Sequence, residues 1–327
     1  MTRRRHEVKK NIVIALLAGV AAVSSAYTYA ADAFPNKPIR LVVNFGAGGS
    51  TDIAARIVAK KLASILGQGV VVENRSGGGG TIGPSYLAKQ EPDGYTIGLT
   101  AQGAIATAPW MYKVTYDTDD FDYIGAFSKY RYVFIVNADS PYKNIQDVVD
   151  AAKKSSKPLL FGTPGPQTNF VFPMLTKQTG AEFEQVLYKS GMDTTVGVAS
   201  NQVPMAVVIS PEAWPQMQAG KVRMIASATG SRWSEYPDVP TVAEQGFDAT
   251  IEGYLALGAP KGVPAPVLAK LRDAVEQTMA DESVRKEMER AGMEAAYMKG
   301  PEYGELMRKE KAKAKVLIQE LGLAVQD

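Results

Sequence analysis

The sequence predicts an α/β protein with parallel strands, and three observations lead there. Short runs rich in β-branched residues alternate with segments whose apolar residues recur at helical spacing. Glycine- or proline-bearing turns separate them. The 327 residues leave room for two domains of roughly 100–200 residues each. Such βαβαβ order implies right-handed crossovers between parallel strands.

Taken in order, Ile39–Phe45 (IRLVVNF) is a continuous apolar run, as expected of a strand buried on both faces. Gly46–Ser50 makes a turn. Thr51–Leu66 carries apolar residues at 53, 57, 58, 62, 65 and 66, a helical stripe that Gly67 and Gly69 stop. Val70–Glu73 is a second strand, Ser76–Gly80 a glycine-rich turn, and Gly83–Lys89 a second helix. Pro92-Asp93-Gly94 signals a turn before the strand Tyr95–Thr100.

A second unit starts near residue 126. Strands are expected at Tyr132–Asn137, Leu159–Gly162, Phe183–Tyr188, Pro204–Ile209 and Lys221–Ser227, with helices at Ile145–Lys154 and Phe170–Gln178. Thr229–Pro240 reads as a connection, and Tyr254–Ala259 as a strand returning to the first unit. The end is helical: Pro264–Met279, with Pro266 well placed near its start, then Glu282–Ala291 and Glu302–Leu321.

Residues 1–30 read as an export signal. Arg3, Arg4, Arg5, Lys9 and Lys10 precede an apolar run from Ile12 to Val23 and the small residues Ser24, Ser25 and Ala26. The run is about a dozen residues, short of the ~20 that a spanning helix needs, so a cleaved signal is favoured over an uncleaved anchor. Cleavage fits after Ala30 or Ala33, and a periplasmic location follows. The general export route is favoured over the twin-arginine route, because His6 stands where a hydrophobic residue would follow the arginines.

The chain has no cysteine and one histidine, His6, which lies inside this signal. A Ser-His-Asp triad, a Cys-His pair and a His- or Cys-ligated metal site are therefore excluded from the mature chain, and no cofactor is expected. All-oxygen calcium or magnesium sites and carboxylate or lysine chemistry survive this test. Processing removes five positive charges and one negative one, turning the net +2 into −2. Nothing in that balance calls for nucleic acid, and the basic run Arg308–Lys315 alternates with acids as a solvated helix face.

The chemistry lies in two turns. Asn44-Phe45-Gly46-Ala47-Gly48-Gly49-Ser50-Thr51-Asp52 joins a strand to a helix, where glycines allow close backbone approach and a helix start offers unpaired N–H groups to an anion. Asp52 is read either as a helix cap or as a ligand contact. Glu73–Gly83 repeats the arrangement on the next strand, so both turns would face one crevice at the carboxyl ends of the sheet. A dinucleotide site competes, since Gly46-x-Gly48 opens a helix and Glu73 ends the next strand. Against it, Thr51 replaces the third glycine and Glu73 lies too far along. No Walker pattern follows either turn. An exported hydrolase or lyase would need paired carboxylates, for which only Asp52 and Glu73 are candidates.

The segments FPNKPIRLVVNFGAGGSTDIAAR, VVVENRSGGGGTIG, EPDGYTIGL, VLYKSG, GKVRMIASATGSRW, DVPTVAEQGF and GAPKGVPAPVLAKL occur in the order and spacing of a known family. Over Phe34 to Leu321 the chain resembles the exported substrate-binding proteins of tripartite tricarboxylate transporters, the Bug family. The resemblance implies a two-lobed type II periplasmic-binding-protein fold with two mixed sheets flanked by helices and a ligand cleft between the lobes. Lobe 1 would comprise residues 34–126 and 251–327, and lobe 2 residues 127–250, closing about connections near 126–137 and 229–255. It further implies a monomer that is not an enzyme, taking up a small mono- or dicarboxylate and delivering it to membrane permease subunits. A sensor docking to a signalling receptor is the alternative within the same chemistry. One carboxylate would be held, through backbone N–H groups and ordered water, at Phe45, Ala47, Gly48, Gly49 and Asp52, and at Gly78, Gly79 and Thr81. The far end of the ligand is expected near Thr163, Thr168, Asn169 and Asp193, each of which has a reading as turn chemistry. The second lobe departs from the family pattern. Gly162–Phe170 lacks the usual histidine, Ser190 replaces a glycine, Ser200-Asn201-Gln202-Val203 stands for Gly-Gly-Gln-Val, and Pro204 stands for an acid. These departures bear on ligand identity, not on fold.

Overall fold

The computed structural model describes residues 34–165 and 167–323, and the export signal read over residues 1–30, with its cleavage positions at Ala30 or Ala33, lies outside them. In chain order the elements are β1 (Ile39–Val43), α1 (Ser50–Leu66), β2 (Val70–Asn74), α2 (Ile82–Leu87), β3 (Thr96–Leu99) and β4 (Phe121–Lys129). Next come β5 (Tyr132–Asn137), α3 (Ile145–Lys154), β6 (Leu159–Thr163), α4 (Val171–Thr179), β7 (Phe183–Leu187), α5 (Gly191–Ala199), β8 (Met205–Ile209), α6 (Ser210–Gln218) and β9 (Val222–Ser227). The chain closes with β10 (Tyr254–Pro260), α7 (Ala265–Ala280), α8 (Glu282–Arg290), β11 (Glu294–Lys299) and α9 (Gly300–Glu320).

Two mixed sheets result, one per lobe. The larger runs β11-β4-β10-β3-β1-β2 and the smaller β7-β6-β8-β5-β9. β1 pairs parallel with both β2 and β3, and β6 pairs parallel with both β7 and β8. The carboxyl ends of β1, β2 and β3 therefore share one edge of the larger sheet, and those of β6, β7 and β8 one edge of the smaller. These edges are where open α/β sheets bind ligands. The returning strand β10 enters the larger sheet antiparallel, between β3 and β4.

Local sequence explains the elements that carry the site. β1 is flanked on both sides and nearly fully buried, which its unbroken apolar run requires. β2 lies at the edge, and its Val71 is 58% exposed. α1 ends on Gly67 in the left-handed conformation (φ 68°), whose N–H returns to Ala63 O. α7 begins with proline in its first turn, as its sequence suggests.

Apolar cores cover both faces of each sheet. Ile39, Leu41 and Val43 pack with Ala54, Val58 and Leu62 of α1 and with Leu271 and Val275 of α7. In the smaller lobe Phe134, Phe161 and Phe172 form one core, and Ile135, Val208 and Trp233 another. Between the lobes the chain crosses at residues 129–132 and again near 250–254. The crossings are tied by a Tyr130 N–H bond to Gly253 O (2.7 Å) and a Lys129–Glu252 ion pair (2.9 Å). Gly253 is required there, since a Cβ would stand 2.7 Å from the Tyr132 hydroxyl. Helix α9 spans both lobes: Tyr303 and Met307 belong to the larger lobe's core, Ala314 and Ile318 to the smaller's. Among the described residues no helix is long and apolar enough to cross a membrane.

Candidate functional site

Both glycine-rich turns fall on the carboxyl edge of the larger sheet. The first leaves β1 and enters α1, whose N-cap is Gly49, with no side chain capping it. Ser50, Thr51 and Asp52 are thus the first three helical residues, and their N–H groups have no acceptor within the helix. Phe45 to Gly48 are exposed while Asn44 and Asp52 on either side are buried, so the turn is held from behind and open in front.

Asp52 does the holding. It is 2% exposed, and its carboxylate accepts the Gly48 N–H (2.9 Å), Arg56 Nε (2.8 Å) and Asn74 Nδ2 (2.8 Å). Burial alone would raise its pKa, but the bonds from Arg56, Gly48 and Asn74 outweigh it and keep the carboxyl below its ordinary value. The Arg56 guanidinium, one helical turn on, is held protonated in return. Asn74, the last residue of β2, also donates to Phe45 O (2.9 Å), so one amide welds the second turn to the first.

The second turn owes its shape to four consecutive glycines. Gly77, Gly78, Gly79 and Gly80 all have positive φ (127°, 58°, 63° and 90°), a run open to glycine alone. Close approach adds a second reason. A Cβ on Gly80 would stand 2.9 Å from the Phe45 ring, and one on Gly83 would stand 2.7 Å from Asn44 Cβ. Thr81 Oγ1 donates to Gly78 O (2.8 Å), and Asn44 Nδ2 donates to Gly80 O (3.2 Å). Phe45, Ala47, Gly48, Gly49, Asp52, Gly78, Gly79 and Thr81 are therefore brought into one packed rim.

Glu73 faces other charges: Arg75 at 2.5 Å and Arg40 at 3.7 Å. Arg75 in turn stacks on Tyr86 of α2, 3.6 Å from the ring centre.

The second-lobe residues cluster at the carboxyl edge of the smaller sheet. Thr163 ends β6, fully buried, with its hydroxyl 2.7 Å from that of Thr168. Each can donate to Gly165 O, at 3.0 and 3.1 Å. Asn169 is buried in the short 3₁₀ turn before α4. Asp193, in the first turn of α5, is exposed, and its N–H and carboxylate both engage the N-capping Ser190 (3.1 and 2.9 Å). Gln167, beside this cluster, reaches out of the smaller lobe: its Oε1 accepts from the Thr107 hydroxyl (3.1 Å) and its Nε2 donates to Glu252 O in the second crossing (3.0 Å).

Three residues of this region carry structure that motif reading passes over. Arg56 follows Asp52 by four positions on a helix, a spacing that forecasts the ion pair. Asn74 gives no local signal, because its partners lie on another strand. Glu212 sits in α6 directly after β8, where Ser210-Pro211-Glu212 is a readable helix start.

The chain matches the family model described as the tripartite tricarboxylate transporter family receptor over residues 54–323. A UPF0065 protein of the gbd 5′ region of Cupriavidus necator is 32% identical, over 98% of this chain and 99% of its own length. Among solved structures, the periplasmic binding protein BugD is 29% identical with a TM-score of 0.80, covering 90% of this chain and all of that one. A Rhodopseudomonas palustris protein, Rpa4515 with adipate, is 27% identical with a TM-score of 0.83, covering 89% of this chain and 99% of that one. The likeness runs along nearly the whole described chain, and the chain belongs to the tripartite tricarboxylate transporter receptor family.

Proposed function

We propose that this chain is an exported solute-binding protein that captures a small organic carboxylate in the interlobe cleft and hands it to the membrane permease of a tripartite tricarboxylate-type transporter. One observation carries the reading. Two glycine-rich turns stand side by side at the carboxyl ends of β1 and β2, one of them feeding a helix N-terminus, with their backbones exposed and their acid turned inward. Such a rim binds an anion by N–H groups and the helix dipole, without a basic side chain. The family membership and the adipate of the Rhodopseudomonas protein support it.

In this reading Phe45, Ala47, Gly49, Gly78, Gly79 and Thr81 surround one carboxylate. Asp52 shapes the turn from behind, because its oxygens already accept three N–H bonds and a bare like charge would repel the ligand. Thr163, Thr168, Asn169 and Asp193 stand on the opposing wall. Closure turns about the two crossings, with the Lys129–Glu252 pair between them, and excludes water from the anion. The ligand is bound without being turned over, by a monomer located in the periplasm.

The test is a thermal-shift and calorimetric screen of the mature chain against organic acids, sugars and cations. Binding of at least one carboxylate, without chemical change to it, is the expected outcome. A response to sugars or cations and to no carboxylate would sink the reading.

A further inference from the structure

The rim of the larger lobe includes a third strand end, that of β3. Beyond it the chain makes a tight turn at Ala108–Trp110, which brings Tyr112 round to the second glycine turn. Two bonds fix this segment. The Tyr112 N–H donates to Ala108 O (2.8 Å), and Trp110 Nε1 donates to Lys311 O of α9 (3.0 Å). The Tyr112 ring then lies against Gly79. A Cβ on Gly79 would stand 3.2 Å from the ring edge and 3.5 Å from the hydroxyl oxygen, so glycine there admits the phenol as well as the positive φ.

The donors of the second turn divide into spent and free. The Gly80 N–H returns to Gly77 O (3.0 Å), and both the N–H and the hydroxyl of Thr81 go to Gly78 O (3.3 and 2.8 Å). The N–H groups of Gly78 and Gly79 meet no acceptor among the described residues, and the Tyr112 hydroxyl meets no partner there either. Tyr112 is 38% exposed, so that hydroxyl is open to a ligand. Partial burial raises its pKa above the ordinary tyrosine value, and the phenol keeps its proton. Bond geometry puts its oxygen within about 6 Å of the Gly79 nitrogen. The two oxygens of one carboxylate bridge such a span at ordinary hydrogen-bond lengths.

We propose that Tyr112 is a ligand-binding residue of the larger lobe, its hydroxyl donating to the carboxylate that the Gly78 and Gly79 N–H groups hold. The inference rests on the function proposed above and deepens it, adding one side-chain donor from a third strand end to a rim otherwise made of backbone. Successive N–H groups of a turn form a concavity for an anion, and a hydroxyl beside them adds a short, charge-assisted bond. Thr163 and Thr168 across the cleft have spent their hydroxyls on each other and on Gly165 O. Tyr112 has not, so binding a carboxylate breaks no bond that its hydroxyl makes to the protein.

The experiment is calorimetry of the mature chain and of Tyr112→Phe against acetate, benzoate, succinate, glutarate, adipate and citrate, with melting curves of both proteins free of ligand. Tyr112→Phe keeps the ring on Gly79 and removes the hydroxyl alone. It should bind the tightest of these acids roughly tenfold or more weakly, while the free protein melts where wild type does. A ring that merely packs on the turn predicts no loss of affinity. A crystal structure of the wild type with that acid is the second readout, and it decides the matter if Tyr112→Phe folds poorly. The Tyr112 hydroxyl should stand at hydrogen-bond distance from a carboxylate oxygen. Affinity unmoved by Tyr112→Phe, or a bound carboxylate beyond the hydroxyl's reach, would overturn this inference while leaving the carboxylate reading in place. Binding of no acid in the panel by the wild type would overturn both.

Discussion

The two lobes present the same local device with opposite outcomes. Each has an apolar strand of a mixed sheet running into a helix that starts with serine and carries an acid at its third position: Ser50-Thr51-Asp52 after β1, Ser210-Pro211-Glu212 after β8. Each acid reaches back to a backbone N–H just before its helix, Gly48 in one case and Ile209 in the other. Four residues further on, Asp52 meets Arg56, while Glu212 has Gln216 at the same offset. Asp52 is thereby neutralised and drawn inward, with its pKa lowered. Among the described residues no cation pairs with Glu212, and burial raises its pKa. The polarity of a strand-end rim is thus set less by the helix dipole, present in both, than by whether the acid at the helix start has a partner of its own.

The comparison breaks most severely if the larger lobe loses its backbone geometry. Gly83→Val would drive a branched side chain into Asn44, whose Cβ and Cα lie 2.7 and 2.9 Å from the new Cβ. Displacing Asn44 disturbs the carbonyl of Gly80 and the start of the first turn together. Carboxylate binding should fall below detection by calorimetry, with a stability loss of about 1–3 kcal/mol from overpacking. Gly46→Ala is the matched control, since nothing lies within 4 Å of its Cβ and its φ is ordinary; affinity there should stay within a few-fold.

Glu212 gives the next largest effect, and its sign is fixed by linkage. Its folded pKa is raised to about 7, so between its unfolded value and 7 the native state binds more protons than the unfolded one. Stability therefore falls as pH rises through that window. Tyr130 and Tyr132, the titratable groups facing it, have their own pKa values raised by burial and stay neutral throughout. Wild type should lose up to about 3 kcal/mol relative to Glu212→Gln between pH 4.5 and 8. Melting curves of the two proteins across that range check this, and parallel curves would remove Glu212 from the comparison.

Why one half of this comparison is legible in sequence and the other is not has a physical explanation. β1, α1 and β2 follow from an unbroken β-branched run, a clean helical stripe and two glycines, and two of the family segments span that same rim. In the smaller lobe α5 and α6 escape sequence reading. α5 (GMDTTVGVA) is built from weak helix formers, and its glycines serve packing: Gly191 admits Glu212, and Gly197 lies against the Tyr188 ring. α6 carries Pro211 at its start and Pro215 within it. β4 (FDYIGAFSK) and β11 (EAAYMK) are also missed, because glycine, serine and charges interrupt them and their pairing with distant strands makes them. Asn201 stands where the family pattern has glycine and adopts φ 56°, a conformation that asparagine tolerates, so that departure leaves the turn intact. The Asp52 cage was invisible for a different reason: Asn74 is 22 residues away along the chain and meets Asp52 only once β1 and β2 pair in register, Val43 beside Asn74.

Removing Arg56 should make the larger lobe's rim resemble the smaller's. Arg56→Met leaves Asp52 with Gly48 and Asn74 only, and the carboxylate, no longer neutralised, repels an incoming anion. Affinity for a carboxylate should fall roughly tenfold, the weight of one charge-assisted hydrogen bond. The pH dependence moves as well. A lowered folded pKa contributes stability that is present above the ordinary aspartate value and lost as pH falls through the folded one. In Arg56→Met that loss should set in at higher pH. Acid melting curves that superimpose on wild type would show that Arg56 does not hold Asp52.

The smallest effect is expected at the threonines of the smaller lobe, and it tests whether that wall contributes neutral donors. Thr163 and Thr168 have one hydroxyl proton each, and the acceptors in reach are each other's oxygen and Gly165 O. One proton satisfies Gly165 and the other either the same carbonyl or the sister hydroxyl, so neither is left over for a ligand. Thr168→Val should therefore cost about 1 kcal/mol of stability through the broken turn. The affinity for a bound carboxylate should change by no more than about twofold, well short of what losing a direct hydrogen bond would do. Calorimetry and melting on the same variant separate the two. A tenfold loss of affinity at unchanged melting temperature would mean that the hydroxyl reorients toward the ligand on binding, and the smaller lobe would then offer a neutral donor of its own.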